Sequence, residues 1–292
     1  MADDATSLPV QTPAPPAGHI VDVLIEERAP KLSGSAAWPL VRPLLYALLG
    51  YGKARAMADA IAPMGGKAAL DFVSDLLAID VQVSGLQHLS REGRLVIVGN
   101  HPTGIADGVA VYDTLKAVRP DIIFYANSDA HRVCARFDET LIPVEWVAAK
   151  RTRERTRLTL AMTKEVLEAE RALMVFPAGK LARRDANGVL TDPVWMPTAI
   201  SVAVKYDAPI VPVHVEGPWA TLFHFFDRFS PELRDITLFH ELLNKKGQRF
   251  RITVGKPIAP DTLDPDAAVA SAAIKTYVER TLPFEPDRPF QT

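Results

Sequence analysis

Short apolar runs alternate with longer amphipathic stretches along most of the chain. Seven runs, at residues 79–83, 95–99, 122–125, 141–144, 173–176, 210–215 and 250–254, consist almost wholly of Val, Ile, Leu and Phe and read as strands. Helices are predicted between them at 108–118, 128–135, 152–170 and 193–205, and a further one at 267–280 closes the chain. Strands apolar on both faces, joined by helix-length crossovers, predict an α/β fold: a mostly parallel, helix-covered sheet of about seven strands. In such a sheet the sites gather at the carboxyl ends of the strands.

Residues 19–84 read as an N-terminal helical lead-in, 85–260 as the main α/β domain and 261–292 as a C-terminal helix and tail. Residues 1–18 are acidic and rich in Pro and Ala, without the apolar core of a signal peptide, and are expected to form a disordered tail. The most lipid-compatible stretch, 38–64, is interrupted by Arg42, Pro43, Lys53, Arg55 and Asp59, so no apolar run approaches the roughly 20 residues of a spanning helix. Two readings stay open for it: a helical pair packed on a core, or an interfacial pair lying on a membrane surface.

Charge narrows the partners. With 33 basic and 35 acidic residues the net charge is −2, which gives no global attraction to nucleic acid, so anion chemistry has to come from local clusters. The single cysteine, Cys134, excludes an internal disulfide framework and fits a reducing compartment.

One strand end carries chemistry. After "LVIVG" the chain reads "NHPTGIADG", residues 100–108, in which Pro102 and Gly104 make a tight turn and Asp107 stands near the start of the next helix. Asp107 is either an N-cap beside a loop histidine, or the partner of His101 in a dyad that can take a proton from a hydroxyl; the spacing admits both. A second strand end, "LMVFPAGKLARR" at 173–184, sets Lys180, Arg183 and Arg184 behind a Pro-Gly turn, either as a solvated basic loop or as a cradle for an anionic group. A third, "APIVPVHVEG" at 208–217, ends on His214 and Glu216.

The ordered set N-H-P-x-G-x-x-D-G, F-P-x-G and V-P-V resembles the glycerolipid acyltransferases, the superfamily of lysophosphatidate and glycerol-3-phosphate acyltransferases, over roughly residues 85 to 260. Two departures stand out. Five residues, Pro102 to Ala106, separate His101 from Asp107 where the family has four, and Ala178 replaces the Glu of the family's Phe-Pro-Glu-Gly. With "ARR" after the turn, these departures resemble the hemolysin-like branch, which completes ornithine- and glycine-type lipids.

The resemblance implies that His101 is a general base oriented by Asp107. Its substrate is the hydroxyl of a lyso-lipid, lysophosphatidate or a lyso-ornithine-type lipid, and its acyl donor is acyl-CoA or acyl carrier protein. No cofactor and no metal are implied. The turn at Phe176, Pro177 and Gly179 corresponds to the family's headgroup-binding region; Asn100, Gly104, Lys180, Arg183 and Arg184 join it as substrate-binding candidates. A weaker counterpart of another acceptor-binding block lies at 137–151, marked by Phe137, Ile142, Pro143, Lys150 and Arg151. A peripheral location at the cytoplasmic face of the membrane follows, because the donor is water-soluble and the acceptor is held in the bilayer.

Competing classes lack their signatures. No G-x-S-x-G elbow is present, "MGGKAA" fails the P-loop pattern, and the seven histidines include no H-x-x-x-H pair. The remaining alternative is a catalytically silent, membrane-recruited lipid-binding protein of the same fold. Among the remaining segments, the apolar stripe of helix 152–170 reads as core, Trp195 as structural, and the aromatic stretch 219–229 as either core or a contact for acyl chain or membrane.

Overall fold

The computed structural model describes residues 18–145, 151–185 and 188–291. Its strands are β1 (Asp80–Ser84), β2 (Leu95–Gly99), β3 (Ile123–Asn127), β4 (Leu141–Val144), β5 (Ala172–Val175), β6 (Arg183–Arg184), β7 (Leu190–Thr191), β8 (Ile210–Glu216) and β9 (Arg249–Val254). The helices that precede the sheet are α1 (Ile20–Arg28), α2 (Pro30–Ser33), α3 (Trp38–Leu48), α4 (Tyr51–Ile61) and α5 (Gly66–Leu77). Within and after it come α6 (Ile105–Leu115), α7 (Ala130–Val133), α8 (Arg153–Glu168), α9 (Thr198–Lys205), α10 (Thr221–Asp227), α11 (Pro231–Asp235), α12 (Leu238–Leu243) and α13 (Ala267–Arg280).

The seven strands expected from the apolar runs form one sheet in the order β1-β9-β8-β2-β5-β3-β4. Every pairing is parallel except that of β8 with β9. The first strand belongs to this sheet, so the helical lead-in ends at Leu77.

Alternation explains why the central strands are apolar throughout. Leu95 and Ile97 of β2 point into one core layer with α5, α6 and α12, while Val96 and Val98 point into the other with α8, α9 and α13. A third cluster joins Val21 and Ile25 of α1, Trp38 of α3 and Ala54 and Ala58 of α4 to Ile236, and so fastens the N-terminal helices to the α10–α12 segment.

Several boundaries differ from the sequence reading. Helix α6 begins at Ile105 rather than 108, because Gly104, at φ +94, makes the entry and Asp107 in the first turn accepts its N–H. Helix α9 begins at Thr198 rather than 193, since Pro193 and Pro197 hold the preceding segment out of helix. The aromatic stretch 219–229 contains the helix α10, with Phe223 buried and Phe225 and, just beyond the helix, Phe229 exposed. The expected tail, residues 1–17, and Lys150 lie outside the described residues.

The end of the sheet opposite the β2–α6 turn is fastened by Arg119, which is fully buried. Its guanidinium forks onto both oxygens of Asp121, at 2.8 and 2.7 Å, and donates to the carbonyls of Ser90, Gly93 and Glu170. Those groups precede β3, β2 and β5, so one planar cation ties the starts of three neighbouring strands. Burial alone would raise the Asp121 pKa, but the hydrogen bonds and charge of Arg119 hold it below the usual carboxylate range. Arg119→Leu is expected to lower the unfolding free energy by about 3 kcal/mol, because it strands Asp121 and three carbonyls. Urea titrations of the two proteins at equal pH measure it, and an unchanged midpoint would reject the staple.

Candidate active site

Strand β2 lies in the middle of the sheet, between β8 and β5, so the turn after Gly99 opens at the centre of the carboxyl-end crevice. Asp107 is fully buried there. Its carboxylate accepts from the Thr103 N–H at 2.9 Å, the Thr103 hydroxyl at 2.6 Å and the Gly104 N–H at 3.0 Å. Asp107 Oδ2 is also 2.9 Å from His101 Nδ1. That oxygen lies off the line of the ring N–H, so the pair meets ion-pair distance without a straight hydrogen bond, and buried Nδ1 has no other partner. Asp107 thus closes the first turn of α6 from N3, not from the N-cap, and it faces the imidazole. The His101 ring stacks on Phe176, with centroids 4.5 Å apart and planes at 23°.

The peptide of His101 is fixed from both sides by one segment. Its carbonyl accepts from the Ala182 N–H at 2.9 Å, and its N–H points between the two oxygens of Asp192, at 3.1 and 3.2 Å. Ala182 precedes β6 and Asp192 follows β7, so the β6–β7 hairpin stands on the histidine. Asp192 is buried and accepts from Trp195 Nε1 at 2.8 Å, which gives Trp195 its structural place. Its own N–H donates to Glu279 of α13 at 2.7 Å. Burial pushes the Asp192 carboxyl up to about 7, against the lowering effect of the Trp195 and His101 hydrogen bonds.

The other candidates divide into groups. Both ends of the Asn100 amide are taken by the backbone of Val215, at 2.9 and 2.7 Å, so Asn100 ties the end of β2 to β8 instead of facing the crevice. At Gly104 a Cβ would stand 3.3 Å from Leu181 on a backbone that already has positive φ. Phe176 to Gly179 form a tight turn closed by the Gly179 N–H to the Phe176 carbonyl at 3.0 Å, and Pro177 accepts from Met196 at 3.0 Å. Ala178, in the position of the family's Glu, is buried in the apolar layer with Trp195.

The basic cluster is spread out. Lys180 is exposed. Arg183 is paired with Asp227, which also binds Arg234 at 2.8 Å, and both guanidiniums lie over Phe223, at 5.5 and 5.8 Å. Arg184 donates to the Gly188 carbonyl at 2.6 Å and covers Trp219 at 4.5 Å. Of the three cations Arg183 already has a carboxylate, because α10 folds over the hairpin. His214 donates through Nδ1 to the Val278 carbonyl, 2.9 Å away, and burial lowers its pKa; it anchors α13. In the 137–151 block, Phe137 and Ile142 are core residues and Arg151 Nε donates to the Glu145 carbonyl at 3.0 Å.

Thr103, Ala182 and Asp192 were not singled out as site residues from the sequence. Thr103 is part of the motif itself, whereas Asp192 lies 91 positions from His101 and its isolated carboxylate between apolar runs was the only available signal.

Residues 80–216, which contain all three motifs, match the family model described as Acyltransferase. Over that segment, a little under half of the chain, this protein is similar to the acyltransferases. Among curated proteins it is similar to the lyso-glycine lipid O-acyltransferase of Bacteroides thetaiotaomicron, 27% identical over 207 residues, covering 68% of this chain and 74% of that protein. The protein of the same name from Phocaeicola vulgatus is 26% identical over 207 residues, covering 68% and 72%. The solved structure of the 1-acyl-sn-glycerophosphate (LPA) acyltransferase PlsC from Thermotoga maritima aligns with a TM-score of 0.46 at 14% identity, over 90% of this chain and 98% of that one.

The raised Asp192 pKa has a stability consequence. Between the ordinary value of 3.8 and about 7 the folded protein keeps a proton that the unfolded chain has lost, so this group's contribution to stability falls as pH rises through that window. Asp192→Asn removes the dependence. The variant is expected to match wild type near pH 4 and to gain on it progressively up to pH 7 in denaturant titrations; a difference that stays flat with pH would contradict the assignment.

Proposed function

We propose that this protein is an O-acyltransferase that moves a fatty acyl group from an acyl thioester to the hydroxyl of a lyso-lipid with an anionic, amino-acid-type headgroup. The observation that carries the reading is the buried Asp107 carboxylate 2.9 Å from His101 Nδ1, at the carboxyl end of the central strand. Asp107 holds Nδ1 on its side, which leaves Nε2 to take the hydroxyl proton. The hydroxyl oxygen then attacks the thioester carbonyl carbon, the tetrahedral intermediate collapses with loss of the C–S bond, and the imidazolium returns its proton to the departing thiolate. No acyl-enzyme is required, and positioning of the two substrates supplies much of the rate.

The headgroup class rests on three supports. Both curated relatives are named for a lyso-glycine lipid. Ala178 removes the carboxylate that the family places in its headgroup turn, and packs into the apolar layer. Exposed Lys180 and Arg184 offer cations beside that turn for a carboxylate head or for the phosphates of a carrier. The donor is acyl-CoA or acyl carrier protein.

A peripheral membrane position, at the cytoplasmic face where acyl carriers are found, is part of the same reading. Helix α3 turns Leu40, Leu44 and Leu48 outward at 84%, 73% and 52% exposure, one above another at i, i+4 and i+8. No helix among the described residues is long and apolar enough to cross a membrane.

Label transfer from acyl-CoA and from acyl carrier protein to lyso-glycine lipid, lyso-ornithine lipid and lysophosphatidate tests the chemistry. Transfer is expected with the amino-acid lipids and is expected to drop by about 10³-fold in His101→Ala; undiminished transfer in that variant removes His101 as the base. For the membrane position, the triple replacement of Leu40, Leu44 and Leu48 by Ser is expected to release the protein from sedimenting vesicles, and unaltered sedimentation would place the contact in another part of the molecule.

A further inference from the structure

Proton transfer through His101 leaves one buried carboxylate of the site unused. Both oxygens of Asp192 converge on the His101 N–H, at 3.1 and 3.2 Å, and Trp195 Nε1 adds a donor at 2.8 Å. A neutral amide oxygen would satisfy the same donors. A carboxylate in their place costs more to bury, and a second one, Glu279, lies against its backbone at 2.7 Å. Once ionised, above about pH 7, this carboxyl sets beside the histidine a negative charge that an amide would not supply.

We propose that Asp192 is the positioning residue of His101: it fixes the histidine peptide, and its negative charge favours the imidazolium that forms when the acceptor hydroxyl loses its proton. The proposal rests on the reading of His101 as the base. During transfer the imidazolium then lies between two buried carboxylates, Asp107 on the Nδ1 side and Asp192 across its own backbone.

The groups around Asp192 leave this effect standing. From the β2–α6 turn it faces His101, and from its own segment the neutral indole of Trp195. From α13 it faces Glu279, which is bound to Lys275 at 2.6 Å and to the Thr191 hydroxyl at 2.7 Å. The Lys275–Glu279 pair largely cancels its own charge, so the field at His101 from this side is that of Asp192. Its carboxyl is pushed up to about 7 by burial, and the His101 charge acts to lower it.

The test is Asp192→Asn, assayed for acyl transfer from pH 5.5 to 9, with the His101 imidazole followed by NMR and identified by its loss in His101→Ala. The expected result is a fall in kcat of about tenfold with KM for both substrates within a factor of two. The acid limb of the rate profile and the His101 titration are both expected to move down by about one pH unit, the shift that matches a tenfold change. A merely structural role would lower the amount of folded enzyme and move neither titration. An acid limb and a His101 titration that coincide with wild type, alongside an inactive His101→Ala, would overturn the role of Asp192 and leave His101 as the base. Full activity in His101→Ala would remove the base reading itself. Should Asp192→Asn not fold, the wild-type His101 titration decides: two inflections, the second near neutrality, are expected, and a single inflection would overturn the proposal.

Discussion

The N–H and C=O of His101 are both claimed by the segment that flanks the β6–β7 hairpin, through Asp192 on one side and Ala182 on the other. A residue with its peptide held at both ends has little backbone freedom, and the stack of its ring on Phe176 restricts the side chain as well. The turn after β2, the turn after β5, the hairpin and α13 are thereby made into one rigid body around the imidazole. For the base proposed here, such fixing removes motions that would otherwise have to be frozen during each turnover.

Asp107 carries two duties that compete for the same lone pairs. Three donors from Thr103 and Gly104 shape the start of α6, and His101 Nδ1 approaches the same carboxylate. The off-line contact with the ring follows from that crowding. It also explains the preference for a carboxylate at this position over an amide: with two oxygens and about four acceptor positions, it alone serves both the helix turn and the imidazole.

Much of the fold was legible because its signal is local. Strands such as "LVIVG" and "ALMV" are buried on both faces, and nothing but a covered, mostly parallel sheet accommodates them. The His-Asp pair was legible for the same reason, since one turn carries both residues. What stayed hidden is long-range. The sequence cannot show that the Asn100 amide faces Val215, that Asp227 reaches Arg183, or that Asp192 returns to His101, because each contact spans 44 to 115 positions. The basic run 180–184 looked like one cradle because a linear text hides the alternation of a strand, which sends Arg183 towards Phe223 and Arg184 towards Trp219. Helix α10 was obscured by its aromatic content, which suits strand as well as helix.

The reversal of β9 against β8 settles which side of the molecule is crowded. Glu216 pairs with Arg251 and Val213 with Val254, so the connection between the two strands starts and finishes at the end where β2 delivers His101. Helices α10, α11 and α12 therefore never have to cross the sheet. Strand β1 runs parallel to β9 and begins at that same end, so α5 finishes there too. The third cluster joins the α1, α3 and α4 helices to the α10–α12 segment at that end. A single antiparallel ladder thus keeps the α10–α12 segment and the β2–α6 turn at one end of the sheet, with the Arg119 cluster at the other.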